Sequence, residues 1–323
     1  MGPMLAAFVL SLLIVLFLGP ATIGFLRRLK ARQTVRQEGP TSHYQKTGTP
    51  TMGGVLMLLA TSLATILLAP DLTRAAVLLM VMLGYGLVGI TDDFLKAVYH
   101  RSLGIRARVK FLWQVVLGFL PAFWVLQEQG AHALAILVPF SGQEWVLPIW
   151  LYFPFSVLVV VGASNAVNLT DGLDGLAAGT SAIGALALGV LLGERHEPTG
   201  AVFAFALAGA CVGFLWFNGY PARVFMGDTG SLALGGALGS LAVLGGLPLY
   251  LALIGGIFVV ETLSVMIQVF TFKTFHRRVF RMTPIHHHFE LAGRPEPVVV
   301  VRFWIVAVLF AVTGLLAYYG FGR

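Results

Sequence analysis

Long apolar runs alternate with short polar segments along almost the whole chain. We expect ten membrane-spanning helices, because the runs are about 17 to 23 residues long, enough to cross a bilayer as a helix. The predicted segments are 4–26, 51–69, 75–91, 111–127, 150–167, 176–192, 200–217, 231–246, 248–270 and 299–319. Two short apolar stretches around a Pro/Ser/Gly turn predict a small outer β-hairpin near 135–148. The sequence therefore predicts an all-α polytopic membrane protein, with one integral membrane domain over residues 1–323.

Composition and charge agree with this class and predict an orientation. Of the 323 residues, 58% are hydrophobic and 11% are charged, which is unlike a soluble protein of this length. Segments on one side of the predicted helices carry 18 of the 21 Lys and Arg residues, and the other three are Arg74, Arg195 and Arg323. By the positive-inside rule the basic side is cytoplasmic, so both termini are expected on the outer, periplasmic or extracellular side. The net charge of +7 could also attract a polyanionic substrate.

Carboxylates are concentrated at the predicted cytoplasmic ends of three apolar runs. Asp92 and Asp93 end the third run, Asp171 and Asp174 follow the fifth, and Asp228 precedes the eighth. Because Asp171 and Asp174 are three residues apart, they could share one face of a helical turn. The alternative is an ordinary polar loop with Asp as an N-cap and Gly as a stop. Adjacent carboxylates repel each other, so the Asp92-Asp93 pair is typical of a site for a cation, a phosphate-bound metal or a proton.

Glycines accompany two of the predicted site segments. Asp228 stands in the sequence Gly-Asp-Thr-Gly-Ser, where its carboxylate is a hard oxygen ligand and the glycines expose backbone N–H groups. The segment 49–54, Thr-Pro-Thr-Met-Gly-Gly, begins the second run, and its two glycines permit close approach of another backbone or a ligand. A plain capping turn remains the alternative for both. Gly235 and Gly239 form a Gly-x-x-x-Gly face that favours helix packing.

Two features near the C-terminus keep more than one interpretation. Glu261 lies within the ninth run, where an ionisable residue marks either a functional site or a partnered polar group. His286, His287 and His288 follow a segment rich in arginine. Consecutive histidines of a regular helix cannot easily point at one zinc ion, so phosphate contacts or proton handling fit better than a zinc site.

Together these motifs resemble the phospho-N-acetylmuramoyl-pentapeptide-transferases, the translocase I family of bacterial peptidoglycan synthesis. The motifs that carry the resemblance are Thr49–Gly54, Asp92-Asp93 with Lys96, Asn165–Gly175, Phe225–Ser231 and Pro284–Glu290. The aspartate motifs are shared with the wider superfamily of polyprenyl-phosphate N-acetylhexosamine-1-phosphate transferases. The triple-histidine motif, in contrast, looks specific to the muramoyl-pentapeptide branch. The similarity extends over nearly the whole chain.

The resemblance implies a ten-helix enzyme of the bacterial cytoplasmic membrane, typically a homodimer, with its active site on the cytoplasmic face. It implies transfer of phospho-MurNAc-pentapeptide from UDP-MurNAc-pentapeptide to undecaprenyl phosphate, which forms lipid I and releases UMP. Mg²⁺ is the implied cofactor, and attack of a phosphate on a pyrophosphate does need charge neutralisation. We expect membrane lipid as a further partner, and no nucleic acid.

The resemblance also implies roles for individual residues. Asp228 is the implied Mg²⁺ ligand and a catalytic residue, and His287 is also expected among the catalytic residues. Asp92 is expected to deprotonate or orient the lipid phosphate, and Asp93 to support the metal and phosphate geometry. Phe225 is expected to stack on uracil. The implied substrate contacts are Lys46, Lys110, Asn168, Asp171, Gly172, Leu173, Asp174, Asn218, Phe225, His286 and His288.

Two other functions remain open on the sequence. A sibling enzyme would transfer GlcNAc-1-phosphate for teichoic acid or O-antigen synthesis. A transporter would use membrane-edge carboxylates to bind a cation or a proton, but the acidic residues cluster at one surface and no inverted repeat is visible. The reaction itself has two possible courses, direct attack or a covalent Asp92 intermediate. Direct attack is favoured because a phosphate monoester is already largely ionised at about pH 7.

Overall fold

The computed structural model describes residues 1–29, 48–97, 104–130 and 134–321, and this part of the chain is almost entirely helical. The helices are α1 (Gly2–Arg28), α2 (Gly54–Leu68), α3 (Leu72–Ala97), α4 (Ala107–Gln129), α5 (Ile149–Thr170), α6 (Leu176–Glu194), α7 (Pro198–Asn218), α8 (Gly227–Leu244), α9 (Pro248–Ile254), α10 (Gly256–Phe275), α11 (Ile285–Leu291) and α12 (Glu296–Phe321). Two short strands, β1 (Ala135–Leu137) and β2 (Glu144–Val146), lie between α4 and α5.

Each of the ten predicted segments contains helix, but the ninth is not one continuous helix. The chain breaks at Gly255 into the seven-residue α9 and the twenty-residue α10. At this break Gly256 lies directly against the ring of Phe310, which leaves no room for a side chain. The short helix α11, which contains the three histidines, was not predicted.

Eight helices of the described residues are long and apolar enough to cross a membrane. They are α1, α3, α4, α5, α6, α7, α10 and α12. The apolar helix α2 has 15 residues and α8 has 18, and neither is among the eight. The chain is therefore an integral membrane protein built from many helices.

The predicted hairpin between α4 and α5 is confirmed. Strands β1 and β2 pair antiparallel, with Ile136 opposite Trp145. The hairpin is fastened to the bundle, because the Leu137 N–H donates to the Gly246 carbonyl at 2.9 Å and Arg195 pairs with Glu144 at 3.1 Å.

Helices α6, α7 and α8 form the buried centre of the bundle, whereas α1, α4, α10 and α12 keep large exposed apolar faces. Such faces suit contact with lipid, since the helices satisfy their own backbone hydrogen bonds. Helix α8 packs against α3 and α5. Gly235 and Gly239 lie directly on the α5 backbone at Ala163 and Val160, so their predicted packing role is confirmed. This packing brings the acidic end of α3, the C-terminal end of α5 and the start of α8 together.

Candidate active site

Asp228, at the start of α8, is the centre of a polar cluster to which four helices contribute. Its Oδ1 accepts a hydrogen bond from Asn168 Nδ2 on α5 at 2.9 Å. Its Oδ2 accepts hydrogen bonds from Lys96 Nζ on α3 at 3.1 Å and from Lys110 Nζ on α4 at 2.7 Å. Three sequence-predicted site residues, Asp228, Asn168 and Lys110, therefore meet at one point.

Asp92 joins the same cluster through the lysines and is itself almost completely buried, with 1% of its surface exposed. Its Oδ2 lies 2.6 Å from Lys96 Nζ and 3.7 Å from Lys110 Nζ. Its Oδ1 accepts the Ile105 N–H at 2.7 Å. Gly104, with φ +56°, lies directly against this carboxylate, so a side chain at 104 would overlap Asp92. The turn before α4 and Lys96 thus hold Asp92 from two sides.

Asp93 faces away from the lysines and caps helix α8. Its Oδ1 accepts the Asp228 N–H at 3.1 Å, and its Oδ2 accepts both the Thr229 N–H at 2.9 Å and the Thr229 hydroxyl at 2.7 Å. The first N–H groups of a helix lack partners within the helix, and a carboxylate there is favoured by the helix dipole. Asp93 therefore fixes the backbone from which the Asp228 side chain projects.

Two ammonium groups face the Asp228 carboxylate. Lys110 Nζ lies 2.7 Å and Lys96 Nζ lies 3.1 Å from its Oδ2. Positive charges this close favour the ionised carboxylate, which is the form that can bind a cation.

The segment 171–175 is a turn between α5 and α6, so the predicted shared helical face of Asp171 and Asp174 is wrong. The loop of the alternative is present, but Asp171 is not the N-cap that the alternative expected. Helix α5 ends at Thr170 with Asp171 as its C-cap, and Gly175 adopts φ +80° before α6 begins. Glycine favours this left-handed conformation because it lacks a Cβ.

Asp174 and Asn218 hold the 171–175 turn against the segment that precedes α8. Asp174 Oδ2 accepts the Ala222 N–H at 2.9 Å. Asn218 Oδ1 accepts the Gly175 N–H at 3.1 Å, while its Nδ2 donates to the Val224 carbonyl at 3.0 Å. The Leu173 side chain is buried in an apolar cluster with residues of α10 and α12. These three predicted substrate contacts thus also shape the loop.

The segment 49–54 pairs with the backbone next to Asp228. The Phe225 N–H donates to the Pro50 carbonyl at 2.8 Å, and the Gly53 N–H donates to the Phe225 carbonyl at 2.9 Å. A side chain at Gly54 would overlap the backbone of Gly230. The predicted close approach of another backbone is therefore confirmed, and Phe225, which is half-buried, is held by its main chain on both sides.

A groove of about 620 Å³ opens beside these two paired segments. Its walls are formed by Arg27, Gly48, Thr49, Pro50, Pro221, Ala222 and Arg223. Two guanidinium groups in one groove favour an anionic occupant. The predicted site residue Lys46 lies outside the described residues.

The three histidines of α11 make three different contacts. His286 is fully buried, and its Nδ1 lies 3.0 Å from Glu261 Oε1 on α10. His287 Nδ1 lies 2.7 Å from Glu290 Oε2, and His288 Nδ1 accepts the Arg281 N–H at 3.1 Å. The Nδ1 atom of each ring therefore contacts another residue of the protein. The other edge of the His286 ring lies against Gly172 of the 171–175 turn.

Sequence reasoning did not name several supporting residues as site residues, although Thr229 and Asn165 lie within its motifs. Thr229 binds Asp93, and Glu296 Oε1 accepts the Asp174 N–H at 2.8 Å. One helical turn from Lys110 and Asn168, Asn165 Nδ2 donates to Gln114 Oε1 at 2.9 Å. The sequence spacing could have predicted this last pair. Gln114 follows Lys110 by four residues and Asn165 precedes Asn168 by three, so each shares a helix face with a site residue.

The carboxylates of the site fit a metal ion that binds together with the substrate phosphates. Within the described ranges, no three Asp, Glu, His or Cys side chains converge to hold an ion by themselves. Mg²⁺ ordinarily takes one or two carboxylates together with waters and substrate phosphates. Asp228 provides one such carboxylate, and Asp92 lies near it, since both contact the ammonium group of Lys96.

Comparisons with known proteins show the family of this chain. Residues 75–246 match the family described as Glycosyl transferase family 4. The chain is 51% identical over 325 residues to the phospho-N-acetylmuramoyl-pentapeptide-transferase of Pelotomaculum thermopropionicum, covering 99% of each chain. It is 50% identical over 307 residues to the transferase of that name from Moorella thermoacetica, covering 95% of this chain and 96% of the relative. The corresponding protein of Geobacillus kaustophilus is 49% identical over 314 residues, covering 96% of each chain. With this identity over nearly its full length, the chain belongs to the phospho-N-acetylmuramoyl-pentapeptide-transferase family.

Proposed function

We propose that this chain transfers phospho-MurNAc-pentapeptide from UDP-MurNAc-pentapeptide to undecaprenyl phosphate, giving lipid I and UMP. One observation carries the proposal: two lysines converge on two carboxylates at the common end of α3, α5 and α8. That cluster lies in a chain about half identical to transferases of this name. Phosphoryl transfer depends mainly on positioning and on electrostatic stabilisation, which this arrangement supplies.

The site is proposed to open on the cytoplasmic side of the bacterial inner membrane. The ends of the helices that carry the aspartates are the ends at which 18 of the 21 basic residues lie, as the positive-inside rule requires. Helices α2 and α8 lie within the bundle, and counting them with the eight longer helices gives ten crossings with both termini outside. A homodimer, as the family resemblance implies, completes the proposed assembly.

In the proposed reaction, an oxygen of undecaprenyl phosphate attacks the phosphorus that carries the sugar. The bond between that phosphorus and the bridging oxygen breaks, and UMP leaves with the electron pair. Lys96 and Lys110 would stabilise the charge that develops on the pyrophosphate. Asp92 would take the last proton of the lipid phosphate or would orient that phosphate. Asp93 would hold Asp228 in place by accepting the Asp228 backbone N–H. We favour direct attack over a covalent Asp92 intermediate.

Asp228 would hold Mg²⁺ through its hard carboxylate oxygen atoms. When bound, the ion would neutralise phosphate charge. Asp228 is suited to this role, because the ammonium groups of Lys96 and Lys110, at 3.1 Å and 2.7 Å, favour its ionised form. Asn168 keeps the Asp228 carboxylate oriented through the 2.9 Å hydrogen bond to Oδ1.

The nucleotide end is proposed to lie between the 171–175 turn and Phe225. An aromatic ring is a suitable platform for a base, since every base presents a stackable face. The groove lined by Arg27 and Arg223 also contains Ala222, whose N–H bonds Asp174 of this turn, and it would accept an anionic part of the soluble substrate. The histidines His287 and His288 would complete the polar wall, with His287 held by Glu290.

Release of UMP by the purified protein tests this function. With undecaprenyl phosphate and Mg²⁺ present, UDP-MurNAc-pentapeptide should give UMP and a lipid-linked product in equal amounts. UDP-GlcNAc in its place should give neither product, whereas turnover of UDP-GlcNAc alone would identify the sibling activity. Absence of UMP from both substrates, with cation uptake by reconstituted vesicles, would identify a transporter.

A further inference from the structure

Glu261 is a fully buried acidic residue on α10 that the proposed reaction does not use. Its Oε1 lies 3.0 Å from His286 Nδ1. Its Oε2 has no hydrogen-bond partner among the residues that the structure describes. A buried carboxyl group without a hydrogen bond is costly, so the contact with His286 is the interaction that makes Glu261 tolerable at this place.

The other edge of the His286 ring lies against the backbone of Gly172. A Cβ added at position 172 would overlap His286 Nε2 and would come within 2.8 Å of Cε1. His286 Nε2 is buried and has no hydrogen-bond partner within the described part of the chain. The ring therefore acts as a spacer between Glu261 on α10 and the turn at residues 171–175.

The hydrogen bond to Glu261 also sets the orientation of the ring. A histidine side chain can rotate about its last torsion, and a bond from Nδ1 to a fixed carboxyl group selects one orientation. In that orientation the ring lies against Gly172. Asp174 and Asn218 hold the same turn through hydrogen bonds with the Ala222 N–H and the Gly175 N–H.

We propose that Glu261 is a positioning residue for the nucleotide end of the site, acting through His286 on the Gly172 backbone. The proposal rests on the function proposed above, in which the 171–175 turn contacts the nucleotide. Loss of the Glu261 contact should therefore weaken nucleotide binding, although Glu261 itself touches no substrate. Affinity for the lipid phosphate should not change.

Binding of UMP to the purified protein, measured by calorimetry, tests the proposal without requiring turnover. Glu261→Leu removes the acceptor at similar volume and should raise the Kd for UMP about tenfold, the equivalent of one ordinary hydrogen bond. Glu261→Gln keeps an acceptor oxygen and should stay within about threefold of the wild type. Ser264→Ala is the matched control. It removes a buried hydroxyl one turn along α10 that bonds the Glu261 carbonyl, and it should leave UMP affinity unchanged.

A double-mutant cycle makes the route through His286 explicit. Gly172→Ala should weaken UMP binding strongly in the wild type, because the new methyl group overlaps the ring. In a His286→Ala background, which removes the ring, the same change should cost less than about threefold, since contacting residues are not additive. Glu261→Leu should likewise have no further effect in that background.

Two results would overturn the proposal. One is a Kd for UMP that Glu261→Leu leaves unchanged while the melting temperature falls, which is the signature of a purely structural residue. The other is full additivity of Gly172→Ala and His286→Ala. If the wild type binds UMP but forms no lipid product, the proposed transfer reaction fails while these comparisons of UMP affinity still decide the role of Glu261.

Discussion

The substitution Asp93→Asn tests whether Asp93 acts by capping α8 or by contacting the substrate directly. Asp93 is 5% exposed, and its two oxygens accept three hydrogen bonds at the start of α8, two from N–H groups and one from a hydroxyl. Asparagine has nearly the same shape but only one acceptor oxygen. If that oxygen stays on Thr229, the new NH₂ group faces the Asp228 N–H, and two donors meet.

The size of the effect follows from these contacts. A hydrogen bond to a charged group contributes about 1.5–3 kcal/mol, and a buried donor left without a partner costs about 1–3 kcal/mol. Because the remaining bonds also lose the carboxylate charge, we expect Asp93→Asn to lower the free energy of unfolding by about 2–4 kcal/mol. The Asp228 backbone would then be released, and a shift of about 1 Å in a catalytic group can reduce the rate about 10²-fold.

Thermal unfolding in detergent and the rate of UMP release should be measured on the same preparation. Asp71→Asn is the matched control. Asp71 also caps a helix, but it uses one oxygen, Oδ1, for the N–H groups of Thr73 and Arg74. Asparagine can retain that acceptor, so stability should change little. Thr229→Val, which removes only the hydroxyl donor, should cost about 1 kcal/mol and keep most of the activity.

The capping explanation predicts that stability and rate fall together in Asp93→Asn. A variant as stable as Asp71→Asn but without UMP release would show that Asp93 acts on the substrate or metal directly. Normal stability with a normal rate would show that the three hydrogen bonds do not control the position of Asp228.

Three further predictions concern the site itself. Asp228→Asn removes the charge of the proposed Mg²⁺ ligand and should reduce UMP release at least ~10²-fold; near-normal Mg²⁺-dependent turnover would end that assignment. Phe225→Ala should weaken binding of the UDP substrate by about 1–3 kcal/mol and leave affinity for the lipid phosphate alone, whereas an equal loss of both would indicate misfolding. In Asp92→Asn, raising the pH above the lipid phosphate's second pKa, about 6 by analogy, should restore much of the rate if Asp92 is only a base. A phosphorylated wild-type enzyme formed without lipid acceptor would instead make Asp92 the nucleophile.

The helices and the placement of the acidic residues could be predicted from the chain alone. A membrane helix needs about 20 contiguous apolar residues. Residues that are neighbours in the sequence are therefore enough to predict that such a helix forms. The same reasoning placed Asp92, Asn168 and Asp228 at ends of apolar runs, and the close approach at Gly53 and Gly54 followed from residue type. The break at Gly255 was missed because the residues on both sides are equally apolar, and it depends on Phe310 packing against Gly256.

The partners of the polar side chains could not be predicted in this way. The i,i+4 spacing could predict the pairing of Asp92 with Lys96. It gave no reason for Lys110 to join them, or for Asp93 to cap a helix that begins more than 130 residues later. Glu261 and His286 are 25 residues apart and belong to different helices. Their contact exists because α10 and α11 pack beside the 171–175 turn. Burial and hydrogen bonding depend on which distant helices come together, and that choice is made by packing of the whole bundle.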